Sequence, residues 1–547
     1  MQTKPMTLAE GPAGHPRRWL LLPVLCLSVF LVVVDNTIVN VALPSFARNL
    51  HASNSSLQWI VDAYSLCFAA LLLAGGGVGD RFGRKRTMQV ALVCFGGCSV
   101  LAAFATSTGS LITARALMGA SAAFIFPTGL AILTSSFPDH TERAKAIGIW
   151  SATTGIAVAL GPITGGVLIE HFWAGSIFLV NVPIVLVTVV LGGLFLPESL
   201  AHSGHRFDVR GLVFGTAGVG ALVYGIIEGP TWGWASPRTV GLLVGAVAVL
   251  SAFAWLELRT RGPLLDVRVF KVPRFTVGAT SISIAFFALF GFIFLITQYF
   301  QLVRGYSALS AGVRTLPFAV TAAVATPLGA ILALRVGTRF VVGAGLACMS
   351  AGLAVAATMP ADAPYLGPVL VSMVLLSLGL SLTTAPSTEA VMGSLRPDQI
   401  GAGAAVNNTT RELGGTLGVA VLGSVFASTF APRVVEGLRA LGVPGPDARI
   451  AGVSMADADA VVQRAPASMH AAAAQVSSSA FIDALHAAST VGAVVAALGA
   501  VLAVAYLGAR SSRSATATAP SSLLAHASCD AAGLASAGGG ERGVCLA

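Results

Sequence analysis

The chain carries one long apolar stretch after another, each sufficient to cross a lipid bilayer. A spanning helix needs about 20 mostly apolar residues, and candidates run near 19–43, 58–79, 88–107, 110–134, 146–169 and 176–196. Two more follow at about 210–228 and 238–257, then six at about 275–302, 309–334, 340–358, 365–388, 400–426 and 484–508. In lipid every backbone polar group must be satisfied internally, so stretches of this length read as helices. The expectation is an all-α integral membrane protein of about fourteen spans. Composition agrees: 55% of the 547 residues are hydrophobic and 10% charged, against roughly a quarter charged in soluble domains.

Charge sets the orientation. Lys+Arg 32 against Asp+Glu 23 leaves +9, and the basic residues sit in alternate loops, not in a patch fit for nucleic acid. Arg81, Arg84, Lys85 and Arg86 follow the second span, Arg143 and Lys145 the fourth, Arg206 and Arg210 the sixth, and Arg259, Arg261, Arg268, Lys271 and Arg274 the eighth. The other short loops hold Arg48, Arg238 and Arg304. Basic loops stay cytoplasmic, which puts both termini inside the cell in a multi-pass protein of the cytoplasmic membrane. The first apolar run is longer than a signal peptide's and contains Asp35 and Asn36, so it reads as a retained span.

The resulting division is a cytoplasmic tail at 1–17, a first bundle at 18–209, two linking spans at 210–258, a cytoplasmic linker at 259–274 and a second bundle at 275–508. Within the last, 427–483 is external and rich in Ala, Ser and Asp, either a loosely ordered loop or a partly amphipathic surface segment. The tail 509–547 has too few large apolar groups to repay the entropy of ordering and is expected to be disordered. None of the four lysines (Lys4, Lys85, Lys145, Lys271) follows a glycine, so a phosphate-cradling Gly-Lys-Ser/Thr loop is absent and nucleotide does not supply the energy. Seven cysteines, most of them inside apolar stretches, indicate no disulfide framework. His202 and His205 lack companions at metal-ligand spacing. No metal and no cofactor are implied.

The most specific motif is Gly76-Gly-Val-Gly-Asp80-Arg81-Phe-Gly83-Arg84-Lys85-Arg86, in the turn after the second span. Glycine permits a tight turn, and an acid can cap a helix or pair with the arginines. The positive-inside rule accounts for the arginines but not for an acid and a glycine at these offsets. This stretch resembles the signature of the major facilitator superfamily. The resemblance implies two six-helix bundles related by pseudo-two-fold symmetry around a central cavity, here with two additional linking helices, and alternating access. It also implies a cytoplasmic latch role for Gly76, Asp80, Arg81, Gly83 and Arg84. A degenerate copy at 329–339 places Gly337 and Arg335 where Gly83 and Arg81 stand, with Leu334 in place of the acid.

Two further stretches resemble motifs of the same superfamily. Gly155-Ile-Ala-Val-Ala-Leu-Gly161-Pro162-Ile-Thr-Gly165-Gly166 on the fifth span is similar to its antiporter signature. Gly161 and Gly165 share a face and allow close helix contact, while Pro162 frees a carbonyl. Val34-Asp35-Asn36-Thr-Ile-Val-Asn-Val-Ala-Leu-Pro44 is similar to the first-helix motif of the fourteen-helix drug/proton antiporter branch.

A carboxylate in hydrocarbon is paired, facing water or protonated, which makes Asp35 a candidate proton carrier. At about 1.5 Å per residue, Asp35 lies some 13 Å from Pro44, and Arg115 on the fourth span some 9 Å from Gly109, both measured from the outer ends. Their depths match, so Arg115 either tunes Asp35 during proton exchange or forms a structural salt bridge with it. Asp62 on the second span competes for Arg115. In the second half, Arg411 and Glu412 begin a Gly-rich stretch, and Glu412 is a second proton site, a cation-binding acid or one member of an internal pair. Trp59, Tyr64, Gln298, Tyr299 and Arg411 are candidates for lining the cavity, the aromatic ones equally fit for an interfacial belt.

The function expected is proton-coupled export of hydrophobic or cationic small molecules by a monomer driven by the proton gradient. The alternatives are a dedicated exporter of one secondary metabolite and, from another class, a non-transporting membrane sensor. No nucleophile–base set points to an enzyme.

Overall fold

The computed structural model describes residues 18–137, 139–198, 208–260, 267–394 and 400–507. Gly76 and Asp80 fall on a helix there, but their side chains lie outside the described residues, as do His202, His205 and both tails.

Among the described residues, fourteen helices are long and apolar enough to cross a membrane. The first half contains α1 (Arg18–Asn49), α2 (Asn54–Phe82), α3 (Arg84–Ala103), α4 (Thr108–Ser136), α5 (His140–His171) and a sixth span made of α6 (Ser176–Leu179) and α7 (Asn181–Phe195). The linking pair is α8 (Val209–Trp232) and α9 (Pro237–Arg259). The second half contains α10 (Pro273–Gln298), α11 (Ala308–Arg314) leading into α12 (Leu316–Val336), α13 (Thr338–Ala356), α14 (Leu370–Met392), α15 (Ile400–Ala440) and α18 (His470–Tyr506), with α16 (Gly445–Ala451) and α17 (Met455–Arg464) between the last two.

Short polar residues set the helix starts. The Ser53 hydroxyl accepts from Ser56 N ahead of α2, Ser107 and Ser110 form a reciprocal capping box on α4, and Ser236 caps α9 just before Pro237. At the opposite end of α2 the chain turns through Gly83 at φ +103°, and the equivalent turn between α12 and α13 passes through Gly337 at φ +104°. The decayed copy of the motif has thus kept its backbone conformation, which only glycine adopts without strain.

The segment 427–483 is helical. α15 continues unbroken to Ala440, α16 and α17 follow, and α18 begins at His470, so these residues build a cap on one end of the molecule. The cap reaches the first half: Asn54 N donates to Val453 O (3.2 Å), and His51 Nδ1 stands 4.0 Å from Asp457 Oδ1. His51 itself sits at φ +49°, the left-handed conformation taken by no other non-glycine among the described residues. Burial pushes the Asp459 carboxyl up to about 6, with Arg48 pulling against that rise. The Ala-rich helices of this segment bury small side chains such as Ala448, Ala451 and Ala458.

Close packing between the halves gathers at the cap end. A Cβ on Gly166 of α5 would fall 2.4 Å from Leu309 Cα of α11, and one on Gly312 of α11 2.3 Å from Pro162 O. Gln301 Nε2 donates to Val41 O of α1 (2.8 Å), and Gly423 of α15 seats the Gln58 side chain of α2. The linking helix α8 lies along both partners of this seam. Its Ile226 carbonyl accepts from Ser424 of α15 (2.8 Å), and its Tyr224 ring stands 5.7 Å from the Trp59 ring of α2.

Candidate functional site

α1, α2, α4 and the sixth span meet around one carboxylate. Asp35 Oδ2 accepts from Arg115 Nη1 at 2.6 Å, and both side chains are 0% exposed. The sequence arithmetic of matching depths is realised here. Arg115 also donates through Nε to the Ile60 carbonyl (3.1 Å), and its guanidinium lies 4.2 Å from the centre of the Tyr64 ring. Tyr64 is fixed in turn by its hydroxyl, which donates to Val32 O (3.3 Å). A buried ion pair costs desolvation on both charges and persists only with good geometry and further hydrogen bonds. This one has both.

The second carboxylate oxygen has its own donor. Asn181 Nδ2 lies 2.8 Å from Asp35 Oδ1 and 3.3 Å from Ser99 Oγ of α3, and Asn181 and Ser99 are fully buried. Asn181 opens α7, where the break after α6 turns the amide inward. Sequence reasoning missed both residues. The one available signal was an asparagine inside an otherwise apolar span.

Asp62 does not compete for Arg115. It is fully buried on α2, and among the described residues neither of its oxygens has a hydrogen-bond partner. One turn toward the cap end, Gln58 is also fully buried, with Ser424 Oγ of α15 3.5 Å from its Oε1 and its Nε2 without a partner. Polar groups in such a setting attract a proton, water or a cation.

Across the interface, Glu412 of α15 is half-buried. Its neighbour Arg411 donates to Thr388 Oγ1 of α14 (3.1 Å) and lies over the Phe286 ring at 5.6 Å. Behind them Gly414 and Gly418 let α15 press against the α10 backbone, where an added Cβ would come within 2.4 Å of Ser283 O and 2.2 Å of Phe287 O.

The remaining candidates separate. Tyr64 belongs to the buried cluster. Trp59 faces α8 and packs with Val223, Ile227 and Ala420. Gln298 and Tyr299 are also removed from the Asp35 cluster, as Gln298 donates back to Phe294 O (3.0 Å) and Tyr299 to Ala361 O near the cap end (3.2 Å).

In the glycine-rich fifth-span motif, Gly161 and Gly165 admit Thr37 and Ile38 of α1, Gly166 and Pro162 admit α11, and Gly155 has open space. The turn around Gly83 is tied to its own half. Lys85 N donates to Glu198 Oε1 (3.2 Å), Lys85 Nζ to Gly193 O (2.9 Å) and Arg84 Nη1 to Ala131 O (3.3 Å), while Arg81 is exposed.

Comparison with known proteins decides the lineage. Residues 25–419 match the family model described as Major Facilitator Superfamily. The chain belongs to that superfamily. Among its relatives within the superfamily, it is 35% identical over 402 residues to the multidrug resistance protein Stp of Mycobacterium tuberculosis, covering 74% of each chain. It is 36% identical to the multidrug efflux pump LfrA of Mycolicibacterium smegmatis (76% of this chain, 82% of LfrA). It is 37% identical to the puromycin resistance protein of Streptomyces alboniger (78% and 85%). In fold it is similar to a bacterial homolog of the human lysosomal transporter Spinster in an inward-facing, unoccupied conformation, with a TM-score of 0.64 at 18% identity over 90% of this chain and 98% of that one. The cap lies beyond the residues the superfamily model matches.

Proposed function

We propose that this superfamily member exports small hydrophobic or cationic molecules across the cytoplasmic membrane in exchange for protons, as a monomer whose two halves together enclose the cavity. Its basic end faces the cytoplasm with both termini, and its cap faces outside. The names of the relatives support export of drugs and antibiotics. The observation that carries the coupling is the fully buried Asp35–Arg115 pair at 2.6 Å, which joins α1 and α4 inside the first half.

The cycle follows from the charges. With the cap end closed, the cavity opens toward the cytoplasm, and a cationic substrate is drawn by Glu412 and by the ring of Tyr64. A proton arriving from outside neutralises Asp35 and weakens its hold on Arg115, so α1 and α4 no longer share a strong electrostatic tie. Return of that proton to the cytoplasm re-forms the pair and resets the site. Substrate and proton thus favour different states of one equilibrium, which is what exchange requires. In this reading the turn around Gly83 latches the halves when the basic end closes, and Asp62 is an additional proton site.

The test is substrate-induced proton movement in everted vesicles. Wild type should release protons when a cationic dye is supplied, and Asp35→Asn should abolish that release while expression and dye binding persist. Undiminished release in Asp35→Asn overturns the assignment, and Asp62→Asn and Glu412→Gln rank the other acids. A second reading, export of one dedicated metabolite, is favoured by the relative named for a single antibiotic. Transport of only one compound from a panel of dyes and antibiotics would establish it.

A further inference from the structure

Asn181 has an unusual imbalance. Its Nδ2 makes two hydrogen bonds, to Asp35 Oδ1 at 2.8 Å and Ser99 Oγ at 3.3 Å, whereas its Oδ1 is buried without any partner. A buried acceptor left unsatisfied is costly, so an arrangement that uses it is favoured whenever one is available. Such an arrangement becomes available when Asp35 takes up a proton.

The geometry fixes where that proton goes. Each Asp35 oxygen accepts one hydrogen bond, Oδ2 from the charged Arg115 Nη1 at 2.6 Å and Oδ1 from the neutral Asn181 amide at 2.8 Å, so protonation on Oδ1 gives up the weaker donor and keeps the charge-assisted one. A proton there points at the amide NH₂, a donor meeting a donor. Turning the amide over about its last torsion places its oxygen where the nitrogen stood, since the two ends of a carboxamide are nearly the same shape. Asp35 Oδ1–H then donates to Asn181 Oδ1, and the Ser99 hydroxyl, free to rotate, donates to the same oxygen. No covalent bond within the protein is made or broken. The proton comes from water and leaves to water, and Asp35 Oδ1 and Ser99 Oγ each keep Asn181 as a partner in both charge states.

We propose that Asn181 is a positioning residue for proton exchange, a reversible amide that donates to ionised Asp35 and accepts from protonated Asp35, with Ser99 as its support. This rests on the reading of Asp35 as proton carrier. It explains how a carboxyl sealed from solvent can change charge without losing its hydrogen bond to the amide, and why the acid is flanked by an amide and not by a second fixed charge.

Infrared pH-difference spectroscopy of the full-length protein in liposomes, with ¹³C-labelled asparagine, tests this without any substrate. The Asp35 carboxyl band is the one absent from Asp35→Asn, and the Asn181 amide carbonyl is the one absent from Asn181→Leu or, should that variant not fold, from the equally shaped Asn181→Asp. The amide carbonyl should move to lower frequency in step with the rise of the Asp35 band, because an oxygen without a partner gains two donors. Ser99→Ala should reduce that displacement. An Asp35 band that rises while the amide carbonyl stays put overturns the turnover of Asn181 and leaves the coupling reading intact. Absence of any Asp35 band across the pH range overturns the coupling reading on which the proposal rests.

Discussion

At the residue scale, Asp35 and Arg115 stabilise each other only as a pair. Arg115→Leu leaves an ionised carboxylate in the core, and breaking a buried pair from one side costs on the order of 3–5 kcal/mol. We expect a clear loss of thermal stability in detergent for Arg115→Leu. The loss should be smaller when it is combined with Asp35→Asn, because the two residues act through one interaction. Additive losses in that cycle would mean the pair is not coupled. This pairing was legible in the sequence only as one of two, since Asp35 lay at a comparable depth to Arg115 while Asp62 competed for the same guanidinium. Asn181 and Ser99 were not. Neither carries a charge, and nothing in a run such as Leu179-Val-Asn181-Val-Pro183 says that the amide turns inward at a helix break. The facing of Trp59 was hidden for a related reason, as an aromatic ring suits a cavity, a lipid interface or a helix seam equally well.

Elements tell a second story, about glycine. The fifth-span motif is one sequence pattern with two structural uses and one idle position. Gly161 and Gly165 hold α5 against α1 within the first half, and Gly166 holds it against α11 of the second. A Gly161→Ala change would put a methyl group 2.0 Å from Thr37 Oγ1, whereas Gly155 has nothing within 4 Å. Gly161→Ala and Gly166→Ala should therefore lower export at least several-fold, with Gly155→Ala near wild type, as read by dye efflux normalised to protein in the membrane. Comparable losses at all three would show that the motif is not a packing device. The number and order of the spans could be read from apolar length alone, as could the repeat, through Gly83 and Gly337. The α16–α17 cap could not, because Ala, Ser and Asp at that density are compatible with coil or with short helices, and the choice is made by contact with the α1–α2 turn.

For the whole molecule, the decisive feature is that the cap is built by the second half yet grips the first. If the cap end must open for release, that grip has to break once per cycle. A disulfide between His51→Cys and Asp457→Cys should then stop export under oxidising conditions and restore it on reduction. A disulfide between Arg433→Cys and Asp483→Cys, which joins α15 to α18 inside the second half where their native side chains form an ion pair, should leave export unchanged. Full activity with the first bridge closed would mean that release takes another route.

The linking helix α8 has an effect on traffic through the membrane. By lying over the junction of α2 and α15, with Tyr224 on one side and Ile226 on the other, it shutters one flank of the protein against the surrounding acyl chains. The opposite flank, where α5 meets α11, has no such screen from the linking pair. The two flanks therefore present different surfaces to the surrounding lipid, one of them covered and the other bare, although both are made by halves that share one repeat.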